Sequence, residues 1–308
     1  MPGRIVLQRL GQTVLAILLL SIVVFGLARL AGDPISLMAP AEATAEDIDR
    51  IRARLGLDRS LPVQYWRFIS HAATGDFGTS IKWDEPTLNI ILDRFPATML
   101  LAGTSMALGL LLALPLGIWS AVWRDSWIDS AGKLVALIGQ SMPTFWFGIL
   151  LILIFAIYIP IFPTSGYGTA SHLVLPSITL GAYVAASIMR ITRSAMLDAL
   201  ETDFVRTARS KGVPEWRVIL LHALKNAAIP IVTIAALQTA AILRGAVVTE
   251  TVFSWPGIGK IAVDAVYARD FPMVQASVLF MGIVFLAVNF IVDMLYVFLD
   301  PRISYRNH

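Results

Sequence analysis

The chain has 308 residues, of which 57% are hydrophobic and only 15% are charged, and its mean hydropathy is +0.73. A water-soluble domain needs more polar surface, so we expect the lipid bilayer to be the main solvent. The absence of cysteine excludes disulfides, thiolate metal sites and cysteine nucleophiles. The net charge is +3, and the basic residues lie mainly where membrane topology places them, so no nucleic-acid partner is indicated.

Residues 1–30 have a basic start followed by an apolar run. A cleaved signal peptide has a shorter apolar core and a small-residue cleavage site. This run approaches the roughly 20 residues that cross a bilayer. We therefore predict a retained N-terminal transmembrane helix.

Long apolar runs recur along the chain and predict an all-α polytopic membrane protein, because a spanning segment must satisfy its own backbone polar groups. The six predicted spans are residues 8–30, 98–123, 134–161, 174–196, 227–252 and 274–299. Prolines at Pro115, Pro143 and Pro176 interrupt three of them, and we expect kinks there.

Residues 31–95 are expected to form a small ordered cap outside the membrane. Residues 44–47 resemble a capping box and predict a first short helix. A second is predicted to begin at Pro62, which suits a first helical turn, and the glycine turn at 75–78 ends it. Its expected face is formed by Val63, Trp66 and Ile69.

Short loops indicate the orientation. Arg124 and Lys133 follow span two, and a basic segment follows span four, whereas the loop after span three has no lysine or arginine. The positive-inside rule then places both termini and the tail, residues 300–308, in the cytoplasm. The arginines of the cap would by themselves favour a cytoplasmic cap. Long segments, however, translocate largely regardless of charge.

Residues 197–225 predict a helix–glycine turn–helix elbow on the cytoplasmic surface. An apolar stripe with helical spacing predicts a first helix. Gly212 is expected to end this helix, and Pro214 to begin a second one. The stripe comprises Leu197, Leu200, Phe204 and Ala208, and the second helix has Val218, Leu221 and Leu224. A membrane-surface helix held by acidic lipid headgroups fits this pattern equally well.

The runs RTARSKG at 206–212 and HALKNAAIP at 222–230 resemble the cytoplasmic loop of ABC-importer permeases. The general form of that loop is E-A-A, three residues, then G. Here Arg206, Thr207 and Ala208 fill the first three positions, as in the dipeptide/oligopeptide branch. Further landmarks of that branch stand in order at 31–34, 54–66, 75–80, 250–260, 269–275 and 292–303. The resemblance covers essentially the whole chain.

This resemblance implies a type I ABC-importer permease fold with its core at 96–299, in a bacterial cytoplasmic (inner) membrane. It implies a pore subunit without an ATPase site or a cofactor of its own. The expected partners are a second related permease in a heterodimer, two cytoplasmic ATPases that bind ATP and Mg, an extracytoplasmic solute-binding protein and the lipid bilayer.

The resemblance also implies that residues 201–214 supply a coupling helix that docks on the ATPase. Phe204 and Ala208 are expected as buried contacts, and Gly212 as the residue that sets the elbow angle. The full candidate docking set is Glu201, Phe204, Arg206, Thr207, Ala208, Arg209, Lys211 and Gly212, with Arg206, Arg209 and Lys211 as polar contacts.

The expected solutes are dipeptides or oligopeptides, with glutathione, nickel chelates or other small solutes as alternatives. A self-sufficient secondary transporter is disfavoured because the sequence shows no internal repeat. An intramembrane hydrolase lacks a recognisable nucleophile and base. The GIGK run at 257–260 is not a P-loop, because Ser254 and Ile261 replace its required glycine and hydroxyl residues. The scattered histidines indicate no metal site.

Three charged residues near or within spans leave alternatives open. Asp293 is a functional candidate because it lies at membrane depth, but an ion pair with Arg190 or Arg193 is the simpler interpretation. Arg244 and Glu250 either face the pathway or pair with neighbouring groups. The pathway-lining residues stay unassigned.

Overall fold

The computed structural model describes residues 2–30, 44, 46, 53 and 58–299. Apart from an isolated bridge between Thr79 and Pro86, the regular structure within these ranges is helical, which confirms the predicted all-α class. The helices are α1 Pro2–Leu30, α2 Leu61–Ala73, α3 Thr87–Val122, α4 Trp127–Ser141, α5 Thr144–Ile152, α6 Ala170–Leu200, α7 Asp203–Ser210, α8 Glu215–Arg217, α9 Leu224–Val252, α10 Ile258–Tyr267 and α11 Phe271–Leu299.

In the described part of the chain, five helices are long and apolar enough to cross a membrane, and a bent pair, α4 with α5, makes up to six. The third predicted span is therefore broken more sharply than the expected kink, because its two helices meet at 104°. Met142 between them is extended, with φ −83° and ψ 130°. Proline disfavours helical geometry in the residue before it, which explains a break at Pro143 where a kink was expected.

Residues 97–255 together with the end of the chain from 291 form one compact unit. Helix α6 packs against α4, α5 and α9, and Leu175, Leu151 and Phe253 form one of its apolar clusters. Turns of π-helix extend α5 over Leu153–Tyr158 and lead from α8 into α9 over Val218–Ala223. Helix α6 is thus the central element of this unit.

Residues 3–96 and 256–290 form a second compact unit. Its core comprises Ile90, Ile91, Ile258, Ile261, Ala265, Met273 and Ala276. Helix α3 begins at Thr87, so its first turns lie within the residues expected to form the cap. The first predicted cap helix and the tail lie outside the described residues.

The second predicted cap helix is confirmed as α2, with proline in its first turn and Gly75 at φ +84° after its end. It packs through a face other than the predicted one. The rings of Tyr65 and Phe68 lie 5.6 and 5.9 Å from the ring of Phe25, whereas Trp66 is 71% exposed. Val63 and Trp66 of the predicted face are therefore exposed, whereas Ile69 is half-buried.

Asp270 fixes the start of α11 in the second unit. Its carboxylate is fully buried and accepts hydrogen bonds from the Ser80 hydroxyl, the Lys82 N–H and the Met273 N–H. The last of these is an N-cap bond. One side chain thus joins the segment after α2 to the first turn of α11.

We predict that Asp270→Ala destabilises the protein by about 2–3 kcal/mol, because it removes a helix cap and leaves buried donors without an acceptor. Thermal unfolding followed by tryptophan fluorescence in detergent checks this. Asp264→Ala, which removes a more exposed pair with Lys260, is the control and costs at most about 1 kcal/mol. Equal midpoints for the two variants would contradict this role.

Candidate functional site

A sharp turn links the short helix α7 to the segment that follows it. Gly212 has φ +75°, in the left-handed region that glycine adopts without steric penalty. Its N–H donates to the Arg209 carbonyl at 2.9 Å, and the Val213 N–H donates to the Ala208 carbonyl at 3.2 Å. These two bonds make the Schellman motif that closes a helix. The elbow expected from the sequence is therefore present, and Gly212 sets its turn.

Helix α7 packs on its own unit through Val205 and Ala208, although Ala208 was expected to contact the ATPase. Val205 is fully buried and Ala208 is 9% exposed, whereas Phe204 is 42% exposed. The predicted stripe assumed one continuous helix from Leu197, but the turn after α6 resets the helical phase. The structure thus places Ala208 against its own chain and leaves Phe204 as the large apolar side chain on the outer surface of α7.

Two ion pairs of exposed side chains stabilise the elbow. Arg209 binds Glu215 across the glycine turn, with Nη2–Oε1 and Nε–Oε2 distances of 2.6 and 3.2 Å. This hydrogen bond raises the pKa of Arg209 above its usual value. Glu201 accepts a hydrogen bond at 3.0 Å from Arg124, in the turn between α3 and α4. Two of the predicted docking residues, Arg209 and Glu201, are therefore engaged within the chain.

The remaining predicted contacts lie on the outer surface of α7. Arg206, Thr207 and Lys211 are exposed. Arg206 has a 3.3 Å contact with Asp203, whose side chain is 97% exposed. This surface combines positive charge with the partly exposed ring of Phe204, and we call Phe204, Arg206, Thr207 and Lys211 the outer face of α7.

The segment after the elbow buries Val218, as predicted, and also Ala223, which the predicted spacing missed. Val218 and Ala223 are fully buried, whereas Leu221 is 57% exposed. The π-helical turn over Val218–Ala223 brings residues five apart onto one face. An α-helical period therefore selected Leu221 wrongly.

A buried carboxylate lies in the same unit as the elbow. Asp129, in the first turn of α4, is fully buried and binds Arg193 of α6 with Nε–Oδ1 and Nη2–Oδ2 distances of 2.6 and 2.8 Å. It also accepts hydrogen bonds from Ser120 at 2.7 Å and from the Asp125 N–H at 3.1 Å. Lys133 lies 2.8 Å away. We call these five residues the Asp129 cluster.

Sequence reasoning missed this cluster. The sequence contained one local indication of it: an acidic residue three positions after Ser126 at the start of an apolar helix, a pattern typical of a helix N-terminus. In the structure the Ser126 side chain accepts a hydrogen bond from the Asp129 N–H. The partner of Asp129 lies 64 residues away on another helix, and one sequence does not reveal such a pairing.

The structure also places the other charged candidates. Glu250 is fully buried and accepts a hydrogen bond from the Thr98 hydroxyl at 2.7 Å, while Arg244 is exposed. Arg193 forms its ion pair with Asp129 and not with Asp293. Arg190 donates a hydrogen bond to Gln140 at 3.1 Å. Glu250 therefore lies among protein groups of its own unit.

An apolar cavity of about 280 Å³ lies between α3, α4, α5 and α6. Leu116, Gly139, Phe147 and Met189 contribute to its walls. Met142, at the break between α4 and α5, also lines it. The cavity therefore borders both the bend at Pro143 and the part of α6 that leads to Arg193.

Comparisons with known proteins decide the family. Residues 113–305 match the family described as "Binding-protein-dependent transport system inner membrane component", and residues 3–102 match its N-terminal membrane component. The chain belongs to this family. It is a permease subunit of an ABC importer, which confirms the resemblance drawn from the elbow and the ordered landmarks.

Similar curated proteins span nearly the whole chain. The glutathione transport system permease protein GsiC of Salmonella paratyphi A is 44% identical over 98% of this chain and 99% of that protein. GsiC of Escherichia coli K12 is 42% identical with the same coverage. A structure of the MetNI methionine ABC transporter in an inward-facing conformation matches with TM-score 0.56 and 18% identity, covering 67% of this chain and 94% of that chain, and it supports the fold.

Substitutions at Gly212 test the turn. No atom lies within 4 Å of a Cβ built there, so Gly212→Ala costs only backbone strain, about 1–2 kcal/mol. Gly212→Asn is better tolerated, because asparagine visits left-handed geometry. Gly212→Pro fixes φ at about −65° and removes the N–H that donates a hydrogen bond to the Arg209 carbonyl.

We therefore expect amide hydrogen exchange of residues 203–217 to be faster than in the native chain in all three variants. The increase should be smallest for Gly212→Asn, larger for Gly212→Ala and largest for Gly212→Pro. Exchange of residues 258–267 in the second unit serves as the internal control and stays unchanged. Native-like exchange of the elbow in the proline variant would show that Gly212 does not set its geometry.

Proposed function

We propose that this chain forms half of the translocation pathway of an ATP-driven importer for glutathione or peptides of similar size. A second related permease supplies the other half, two cytoplasmic ATPases bind ATP and Mg, and an extracytoplasmic solute-binding protein delivers the solute. The family supports the need for such partners, since it comprises components of binding-protein-dependent systems.

Glutathione is the preferred solute because the full-length relatives are named glutathione transport permeases. The sequence landmarks favoured dipeptides and oligopeptides. Glutathione and these peptides all carry peptide bonds and carboxylates. The proposal therefore keeps a peptide as the solute and changes only which peptide is preferred.

The outer face of α7 is the proposed docking site for the ATPase. The observation that carries this is Phe204, a large apolar side chain 42% exposed on a helix whose other exposed groups are polar. An aromatic anchor with a charged rim is typical of protein interfaces. Gly212 and the Arg209–Glu215 pair hold this face in place, whereas Ala208 supports it from within.

Orientation follows from the same assignment. An ATPase in the cytoplasm requires the elbow to be cytoplasmic, which agrees with the basic residues after α6 and in the turn before α4. Both termini then lie in the cytoplasm of a bacterial cell, with the protein in the inner membrane and residues 58–86 outside.

Transport by the reconstituted complex tests the function. We expect vesicles containing this chain, its partner permease, the ATPases and the binding protein to take up labelled glutathione only with ATP. Excess unlabelled glutathione should suppress this uptake more than an equal excess of a dipeptide.

Selective suppression by the dipeptide would contradict the glutathione assignment and favour the dipeptide alternative. Uptake by this chain alone, driven by an ion gradient in vesicles without ATPases, would contradict the importer assignment as a whole. Vesicles with ATP omitted are the matched control for both results.

A further inference from the structure

We propose that the Asp129–Arg193 pair makes α4 follow the movement of α6, so that ATPase docking at α7 is transmitted to the apolar cavity. Both residues are positioning residues in this account. The inference rests on the proposed function, because it assigns a route by which the docking site acts on the pathway.

The geometry of the pair opposes sliding between the two helices. Arg193 presents its planar fork to both carboxylate oxygens of Asp129, at 2.6 and 2.8 Å. A bidentate pair fixes orientation as well as distance. If α6 moved relative to α4, both bonds would break and leave a fully buried carboxylate with reduced compensation, which is strongly unfavourable.

Close contacts of α6 with α3 and α4 reinforce the pair. A Cβ atom at Gly117 of α3 would lie 2.7 Å from the Cβ of Thr192, and one at Gly132 of α4 would lie 2.5 Å from the Cε of Met189. These α6 positions lie one and four residues before Arg193. Close-packed helices transmit displacement rather than absorbing it, so α3, α4 and α6 form one body around the Asp129 cluster.

The same body reaches the elbow. Arg124, in the turn between α3 and α4, binds Glu201 just after α6 at 3.0 Å. Both side chains are more than half exposed, at 57% and 67%, so this pair alone holds weakly. The buried Asp129–Arg193 pair is therefore the stronger link between α4 and the segment that carries α7.

The cavity lies where this body ends. Gly139 and Met189 line it from α4 and α6, and Phe147 lines it from α5, beyond the break at Pro143. Because the pair joins α4 to α6, the walls that these two helices contribute are displaced together. Displacement of the elbow thus reaches both walls of the cavity instead of being lost between helices.

A buried ion pair can also serve folding alone, so the test must separate stability from coupling. The informative quantity is solute taken up per ATP hydrolysed, measured in vesicles containing the whole complex. The variants are Asp129→Asn, Arg193→Lys, and the double variant Asp129→Leu with Arg193→Met. The double variant keeps the site filled by apolar side chains, which often preserves stability.

We expect the double variant to assemble with its partners and hydrolyse ATP within about twofold of the native rate, while glutathione uptake per ATP falls about tenfold or more, a coupling effect of ordinary size. Arg193→Lys should be intermediate, because it keeps the charge and loses the fork. Asp264→Asn, the same type of substitution at a more exposed pair, is the control and leaves the ratio native.

Native uptake per ATP in the double variant would overturn the proposal. Parallel loss of assembly, hydrolysis and uptake in all three variants would also overturn it and assign the pair to folding. Either result leaves ATP-driven uptake by the native complex intact, whereas absence of that uptake would contradict the proposed function itself.

Discussion

The buried carboxylate of Asp129 is the constraint on which one unit of this permease depends. An unpaired charge in an apolar interior is very costly, so the structure surrounds it with Arg193, Lys133, Ser120 and a backbone N–H. Those donors come from α3, α4, α6 and the turn before α4. The relative placement of these helices is therefore tied to one side chain.

A proline and two π-helical turns mark the points where the long helices depart from regularity. A spanning segment must satisfy its own N–H and C=O groups, and the chain does so with long helices interrupted at defined points. Pro143 breaks the third span, and π-helical turns over Leu153–Tyr158 and Val218–Ala223 shift the exposed faces. Such irregular turns are frequent at functional sites, and here the second one leads directly out of the elbow.

The sequence predicted the elements whose signals are local. Apolar run length gave the spans, proline and glycine marked the start and end of α2, and Gly212 marked the elbow, because each of these effects acts within a few residues. The side chains that pack were predicted less well. A phase error at the second π-helical turn assigned the exposed Leu221 to a buried face, and Ala208, expected to contact the ATPase, packs on its own unit. The Asp129–Arg193 pair was missed because it joins residues far apart in the chain.

Site-directed cross-linking tests the proposed docking surface most directly. The chain contains no cysteine, so a single introduced thiol reports one position. In the assembled complex, Phe204→Cys should cross-link to an ATPase subunit, whereas Ala208→Cys, buried in its own unit, and Arg67→Cys, exposed on α2, should not. If Phe204→Cys reacts freely with a small thiol reagent in that complex and forms no ATPase cross-link, the outer face of α7 is not the docking site.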